Sequence, residues 1–264
     1  MSDEKKPPIP LPAATILLLR DGAAGLEVFM VKRHHQIDFA SGALVFPGGK
    51  VDPHDRDPAL RKHADGAEKL DDLQLSVAAC GIREGFEESG ILLARKSGRD
   101  DYIDASAATA LAPWRPRLNA SEVGLSEFLV HENLRLACDA LVPFAHWVTP
   151  TFMPKRFDTY FYVAATPVGQ LGRHDGSESV DSLWINPNEA IEDAKRWTII
   201  FPTRMQLVKL ARSKTAAEAI ARANAEPVVT VEPKVAMRGD NQVLTIPEEA
   251  GYGKIEEPMR SLRG

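Results

Sequence analysis

Apolar residues along this chain follow two rhythms, and the switch between them divides strands from helices. Residues 14–20 and 26–33 are runs of β-forming side chains on either side of Asp21-Gly22-Ala23-Ala24-Gly25, which predicts a hairpin. Another strand is expected over residues 43–46, where Ala43-Leu44-Val45-Phe46 breaks into Pro47-Gly48-Gly49. Between about residues 73 and 89 the period lengthens to that of a helix: Leu75, Ala79, Ile82 and Phe86 fall on one side, as a stripe for a core. Ser89-Gly90 supplies the stop, with Gly90 suited to a left-handed cap, and the apolar Ile91-Leu92-Leu93 follows. Further strands are predicted over residues 144–148, 159–164 and 182–185. Further helices are predicted over residues 121–140, with Leu125, Phe128, Leu129 and Leu136 as core positions, and over 187–194, 202–211 and 215–223. Residues 53–70 are charged and poor in apolar side chains, with Asp57-Pro58 as a helix start, and read as an exposed helix and loop. Strands mixed with helices on both sides predict an α/β sandwich.

The predicted helix over 73–89 carries a second stripe opposite the first. Glu84, Glu87 and Glu88 stand at i, i+3 and i+4 and share a sector of roughly 100°. Like charges at that spacing repel, whereas clustered carboxylate oxygens are what hard cations such as Mg²⁺ or Mn²⁺ prefer. That face is expected to look outward. The helix also contains Gly81 and Gly85, each costing roughly 0.8–1 kcal/mol relative to alanine. Close backbone packing would explain them, with the Gly48-Gly49 turn as the expected partner. Glycine at that turn allows positive φ and lets backbone approach a ligand.

Composition narrows the class without naming it. The 264 residues are 44% apolar and 26% charged, which suits one globular domain with elaborations. A formal charge of −5 argues against a nonspecific nucleic-acid binder. Arg20 ends the early apolar run far short of the ~20 residues a bilayer needs, and the first dozen residues are charged and Pro-rich. No nucleic-acid or membrane partner is expected, and a homodimer is compatible with the chain but not required by it. Cys80 and Cys138 have no ligand-like spacing, which suits a reduced cytoplasmic protein. His34, His35, His54 and His63 share no spacing to a common partner and read as solvated.

Arg83-Glu84-Gly85-Phe86-Glu87-Glu88-Ser89-Gly90, followed by Ile91 and preceded by Gly48-Gly49, resembles the Nudix hydrolase signature G-x5-E-x7-R-E-U-x-E-E-x-G-U. Two departures stand out: 20 residues are inserted between Gly49 and Arg83, and Gly85 occupies the first apolar U position. Asp55 stands where the first Glu would be counted from Gly49, and the insertion leaves its role open. The stretch from Phe39 to Asp52, the insertion, His146-Trp147-Val148-Thr149-Pro150 and Lys155-Arg156-Phe157-Asp158-Thr159 resemble the peroxisomal coenzyme A diphosphatase branch and its bacterial relatives. That likeness covers about residues 13–215. Ser261-Leu262-Arg263-Gly264 is not a Ser-Lys-Leu kind of ending, so a cytoplasmic setting is expected.

The resemblance implies a Nudix fold over residues 13–225, a 53–72 insertion, a flexible 1–12 segment and a 226–264 extension packed on the domain. It implies a Mg²⁺ or Mn²⁺ ion held by Glu84, Glu87, Glu88 and the Gly48 carbonyl, with Arg83 orienting a carboxylate. The general base is either Glu178 or Glu84. The resemblance places Arg33 and Arg156 near the substrate groove, where a guanidinium holds a phosphate, with an ordinary edge-strand arginine as the alternative for each. Phe39 either covers a base or acyl group of the substrate or packs in the core. The reaction implied is hydrolysis of a nucleoside diphosphate linked to a group X, with coenzyme A or acyl-CoA leading and ADP-ribose or a dinucleotide as alternatives. A nucleotide sensor without turnover is the reading from a different class.

Overall fold

The computed structural model describes residues 7–33, 42–174, 176, 179–193 and 196–258. The hairpin forms as β1 (Leu11–Gly22) and β2 (Gly25–Arg33), antiparallel, with Gly25 at φ 110° closing the turn. β3 (Leu44–Val45) joins β2, and β4 (Gly48–Lys50) joins β1 with Gly48 opposite Thr15 and Gly49 opposite Ala14. The long helix α1 (Asp72–Ser89) begins at Asp71, whose side chain accepts from the Gln74 N–H while Gln74 accepts from Asp71 N–H. It ends where Gly90 adopts φ 73°, the left-handed cap the sequence predicts.

After β5 (Ala94–Lys96) come three short helices, α2 (Ala105–Ala110), α3 (Trp114–Asn119) and α4 (Leu125–His131), and then β6 (Leu134–Leu136), which pairs with β5. The single helix expected over 121–140 is therefore one short helix, a strand and a 3-10 turn at Cys138–Ala140. Asn133 at φ 54° reverses the chain between helix and strand, a break the periodicity did not register. Leu125, Phe128, Leu129 and Leu136 are nonetheless all buried.

β7 (Val142–Val148), β8 (Phe157–Ala165) and β9 (Ser179–Ile185) complete most of the main sheet. α5 (Pro187–Glu192), α6 (Phe201–Leu210) and α7 (Ala216–Ala225) follow, and β10 (Thr230–Val231) adds to its edge. The order is β10-β7-β8-β1-β2-β3, with β4 on β1 and β9 on β2. The β1–β8 and β7–β10 pairs are parallel and the others antiparallel, so the sheet is mixed. The final segment, which the sequence leaves unassigned, forms a small antiparallel sheet of β11 (Lys234–Arg238), β12 (Asn241–Thr245) and β13 (Glu256–Pro258).

β1 shows why this is a sandwich. Ala14, Ile16 and Leu18 face a core shared with α1 and the α2–α4 segment, whereas Leu17 and Leu19 face a second core shared with α5, α6 and α7. A strand buried on both faces reads as one continuous apolar run, as residues 16–19 do. Cys80 and Cys138 are free and buried. Among the described residues, no helix is long and apolar enough to cross a membrane.

The expected exposed insertion is partly buried. Residues 53–69 form three 3-10 turns rather than a helix, and they deliver Leu60 and Ala67 into the first core. Two apolar anchors in a charged segment suffice to hold it there.

α1 lies directly on β1, and its interior glycines mark the contact. A Cβ at Gly81 would meet the Ala14 Cβ at 3.6 Å, an ordinary contact, while one at Gly85 would meet Ile16 Cγ2 at 3.2 Å. Close packing is thus the role of Gly85, but its partner is β1 and not the Gly48-Gly49 turn. Gly81→Ala should raise stability by about 0.5–1 kcal/mol through helix propensity, whereas Gly85→Leu should lower it by about 1–3 kcal/mol through overpacking. Thermal unfolding of both variants checks this; equal stabilities would refute the packing account.

Candidate functional site

The signature residues meet where α1 crosses β4, and Arg83 is the centre of the arrangement. Its Nε and Nη2 donate to Oδ1 and Oδ2 of Asp55, both at 2.8 Å, in a two-pronged bond with Asp55 only 1% exposed. Nη1 donates to Glu87 at 3.1 and 3.2 Å and lies 3.0 Å from Glu84 Oε1. Nη2 also reaches the Lys50 carbonyl at 3.3 Å. Asp55 itself is fixed by the Asp52 N–H, 2.8 Å away, inside a capping box. The structure thereby brings Asp55 to Arg83 across the insertion, and the extra residues form a loop between the two partners.

The glycine turn sits against this cluster. Gly48 N–H donates to Glu88 Oε2 at 3.1 Å. In an antiparallel pair a residue's N–H and C=O point to the same side, so the Gly48 carbonyl also faces away from β1 toward the helix. Neither glycine has positive φ. What they supply is space: a Cβ on Gly48 would lie 2.5 Å from the Ala14 carbonyl oxygen, and one on Gly49 would lie 2.3 Å from Glu84 Oε1.

The acidic face does not look outward as the helical wheel suggests. Glu87 and Glu88 are 3% and 5% exposed, and the Glu84 side chain retains 15%. The glycine turn lies against the face, with Gly49 beside the Glu84 carboxylate and the Gly48 N–H on Glu88, while Arg83 covers Glu87. Burial of the Arg83 guanidinium works against its charge, but the Asp55 hydrogen bonds and the charges of Glu84 and Asp55 outweigh that and hold it more firmly protonated than usual. Burial, followed by the charges of Glu84 and Asp55, pushes the Glu87 carboxyl up to about 8 despite the help of Arg83. Negative charge is in excess here, and a cation is what would relieve it. Among the described residues, however, no three His, Cys, Asp or Glu side chains are grouped so as to hold a metal ion, because Glu87 is turned to Arg83 and Glu88 to the Gly48 amide.

Of the residues expected near the substrate groove, Arg156 has its donors engaged elsewhere. Arg156 is buried at the start of β8, where it donates to the Thr149 carbonyl, the Pro8 carbonyl and Glu232 at 2.8–3.0 Å. These bonds tie the β7–β8 connection to the N-terminal segment and to the residue after β10, and none joins it to Glu84, Glu87 or Glu88. The Arg33 side chain, Phe39, His34, His35 and Glu178 lie outside the described residues. Arg115, which no motif flagged, is present: it donates through Nε and Nη2 to the Glu87 carbonyl at 3.0 and 2.8 Å. Its partner is 28 residues away with no shared periodicity, so no local signal could reveal it.

The raised Glu87 carboxyl gives metal-free protein a pH-dependent stability. Between about 4.5 and about 8 the folded state holds a proton that the unfolded chain has lost. Stability from this group is therefore full below about 4.5 and drains away as pH rises to about 8. The slope approaches ~1.4 kcal/mol per pH unit at most. Denaturant unfolding of chelator-treated protein across that window should show the decline, and Glu87→Gln should flatten it; an unaltered slope in the variant would refute the assignment.

Comparison with known proteins bears on this geometry. The family model described as the NUDT19 Nudix domain matches residues 60–212, more than half of the chain, with the glutamate helix inside the match and Gly48, Gly49 and Asp55 ahead of it. The chain is 24% identical over 222 residues to acyl-coenzyme A diphosphatase NUDT19 of Xenopus laevis, covering 69% of this chain and 58% of that protein. It is 25% identical over 209 residues to the Homo sapiens protein of the same name, covering 64% and 56%. It thus spans under three fifths of the length of these relatives. A NUDIX hydrolase crystal structure from Alicyclobacillus acidocaldarius superposes with a TM-score of 0.64 at 26% identity, covering 81% of this chain and 96% of that one. The glutamate helix lies within the matched region, and the chain belongs to the Nudix family, its residues 60–212 matching the NUDT19 Nudix domain.

Proposed function

We propose that this protein is a divalent-metal-dependent diphosphate hydrolase whose substrate is coenzyme A or an acyl-CoA. The observation that carries the reading is the set of carboxylates beside the glycine turn, Glu84 and Glu87 held by a guanidinium that stays charged and Glu88 by the Gly48 N–H. The donor set suits Mg²⁺ or Mn²⁺ in kind: carboxylate oxygens plus one backbone carbonyl, with negative charge in excess. Glu84, Glu87, Glu88 and the Gly48 carbonyl would hold the ion, once Glu87 and Glu88 turn from their present partners. Bound there, it would offset charge on the phosphate oxygens and acidify a water.

The chain's own residues do the rest. Arg83 fixes the last turns of α1 against Asp55, so the carboxylates keep their spacing. Glu84 is the most accessible of the three and accepts the proton of the attacking water; Glu178 is the competing base. Water attacks one phosphorus and the bridging P–O bond breaks, leaving 3′,5′-ADP and a phosphopantetheine. The names of the relatives at 24% and 25% identity support the coenzyme A substrate. Two unpaired, buried cysteines support a reducing, cytoplasmic setting. A nucleotide sensor without turnover is the second reading, favoured by the way Glu87 and Glu88 are already engaged with protein groups.

Diphosphate substrates assayed with Mg²⁺ and Mn²⁺ test the reading. Coenzyme A or an acyl-CoA should be hydrolysed ahead of ADP-ribose and dinucleotides, and Glu87→Gln or Glu88→Gln should lower kcat by about 100-fold or more with the fold intact. Hydrolysis of no substrate, with nucleotide binding retained, would favour the sensor. A pH–rate profile separates the two bases: if Glu84 serves, Glu178→Gln keeps both rate and profile, while a fall in rate with loss of the acidic limb would transfer the role to Glu178.

A further inference from the structure

The C-terminal end of α1 is completed by groups from outside the helix. The Ser89 carbonyl accepts from the Arg173 N–H at 2.6 Å, and the Ser89 hydroxyl donates to the Gly85 carbonyl while accepting from the Ile91 N–H. The Glu87 carbonyl takes two bonds from the Arg115 guanidinium. The last turn of α1 carries Glu87 and Glu88, with Glu84 one turn earlier, and has no basic residue of its own. A helix C-terminus favours a nearby cation, and α1 obtains it from α3.

The same guanidinium reaches further. Arg115 Nη2 also donates to the Arg173 carbonyl at 3.0 Å, so one fork joins the end of α1 to the segment leading into β9. A Cβ on Gly90 would lie 3.3 Å from Arg115 Nη1, so the glycine leaves the fork its place. α3 is itself anchored: Trp114 packs on Phe128 with ring centroids 5.3 Å apart, Phe128 stacks on Phe86 of α1 at 5.8 Å, and the Trp114 indole donates to Glu132 at 2.9 Å. The segment after β8 is anchored too, because Gln170 bonds the Leu92 N–H and the Ile103 carbonyl at 2.9 and 3.0 Å.

We propose that Arg115 is a positioning residue, setting the direction of the α1 carboxylates through the Glu87 backbone and coupling them to the 170–174 segment. This rests on the hydrolase reading above. Among the described residues, these guanidinium bonds go to the main-chain carbonyls of Glu87 and Arg173. The fork fixes the peptide between Glu87 and Glu88, so both side chains leave a backbone that cannot fray, and it ties the segment beside them to the same point.

Arg115→Ala and Arg115→Lys in the full chain test this, with Leu210→Ala on α6, across the sheet, as a control of comparable stability loss. The probe is Mn²⁺ alone, titrated into chelator-treated protein and followed by electron paramagnetic resonance. Amide hydrogen exchange at Gly90 and Arg173 is read in parallel. Arg115→Ala should weaken Mn²⁺ binding by about tenfold or more, the usual cost of losing an outer support. It should also speed exchange at both amides, while Leu210→Ala leaves both readouts at wild-type values. Arg115→Lys, which keeps the charge and loses the fork, should fall between, and it stands in if Arg115→Ala does not fold. Wild-type Mn²⁺ affinity and exchange in the Arg115 variants, or equal losses in the control, would overturn the proposal. A wild-type protein that binds no Mn²⁺ would instead overturn the hydrolase reading, and this proposal with it.

Discussion

A single buried guanidinium holds the candidate site together. Arg83 is bound on one side by both oxygens of Asp55 and on the other by Glu84 and Glu87. Taking such charges out of water is costly unless each finds a partner, and removing one partner of a buried pair typically costs about 3–5 kcal/mol. The local structure is arranged so that no partner is missing. The 3-10 turn that begins at Pro53 exists to deliver Asp55, β4 delivers the Lys50 carbonyl, and α1 brings the glutamates. Three elements from separate stretches of chain are thus aligned by one side chain.

The framework around this guanidinium is more legible in the sequence than its burial is, for a physical reason. Elements written in a single period, such as α1 with Leu75, Ala79, Ile82 and Phe86, declare themselves because each residue's burial follows from its neighbours three and four positions away. The β1–β2 hairpin is equally plain, with its glycines between two apolar runs. What failed lies where burial is decided by distant chain. The 121–140 segment has helical spacing of leucines, yet Leu134 and Leu136 satisfy a strand that pairs with β5. The insertion looked solvated since its charged residues outnumber Leu60 and Ala67, which nevertheless reach the core.

The site shows the same division. The sequence puts Glu84, Glu87 and Glu88 on one helix face, and the structure sets Arg83 and the Gly48 backbone beside them, with Asp55 joining although 28 positions separate it from Arg83. Their solvent exposure was misjudged, because a helical wheel knows one helix and not the chain packed over it. Arg156 was placed in the substrate groove on resemblance, whereas its donors are held by Thr149, Pro8 and Glu232. A cationic side chain beside a strand start serves ligand and framework equally well on paper; only its partners decide.

The two glycines of the turn constrain the chain in different ways. Gly48 faces the backbone of β1, and a backbone carbonyl cannot be shortened or rotated aside without moving the strand. Gly49 faces the tip of Glu84, a flexible side chain. A larger residue at 49 could therefore be accommodated by a second change, a shorter acid at 84, which would retract the carboxylate. No second change rescues position 48. Two adjacent, identical residues thus differ in what can compensate for their loss: one is coupled to the chemistry and open to paired substitution, the other is bound to the sheet and closed to it.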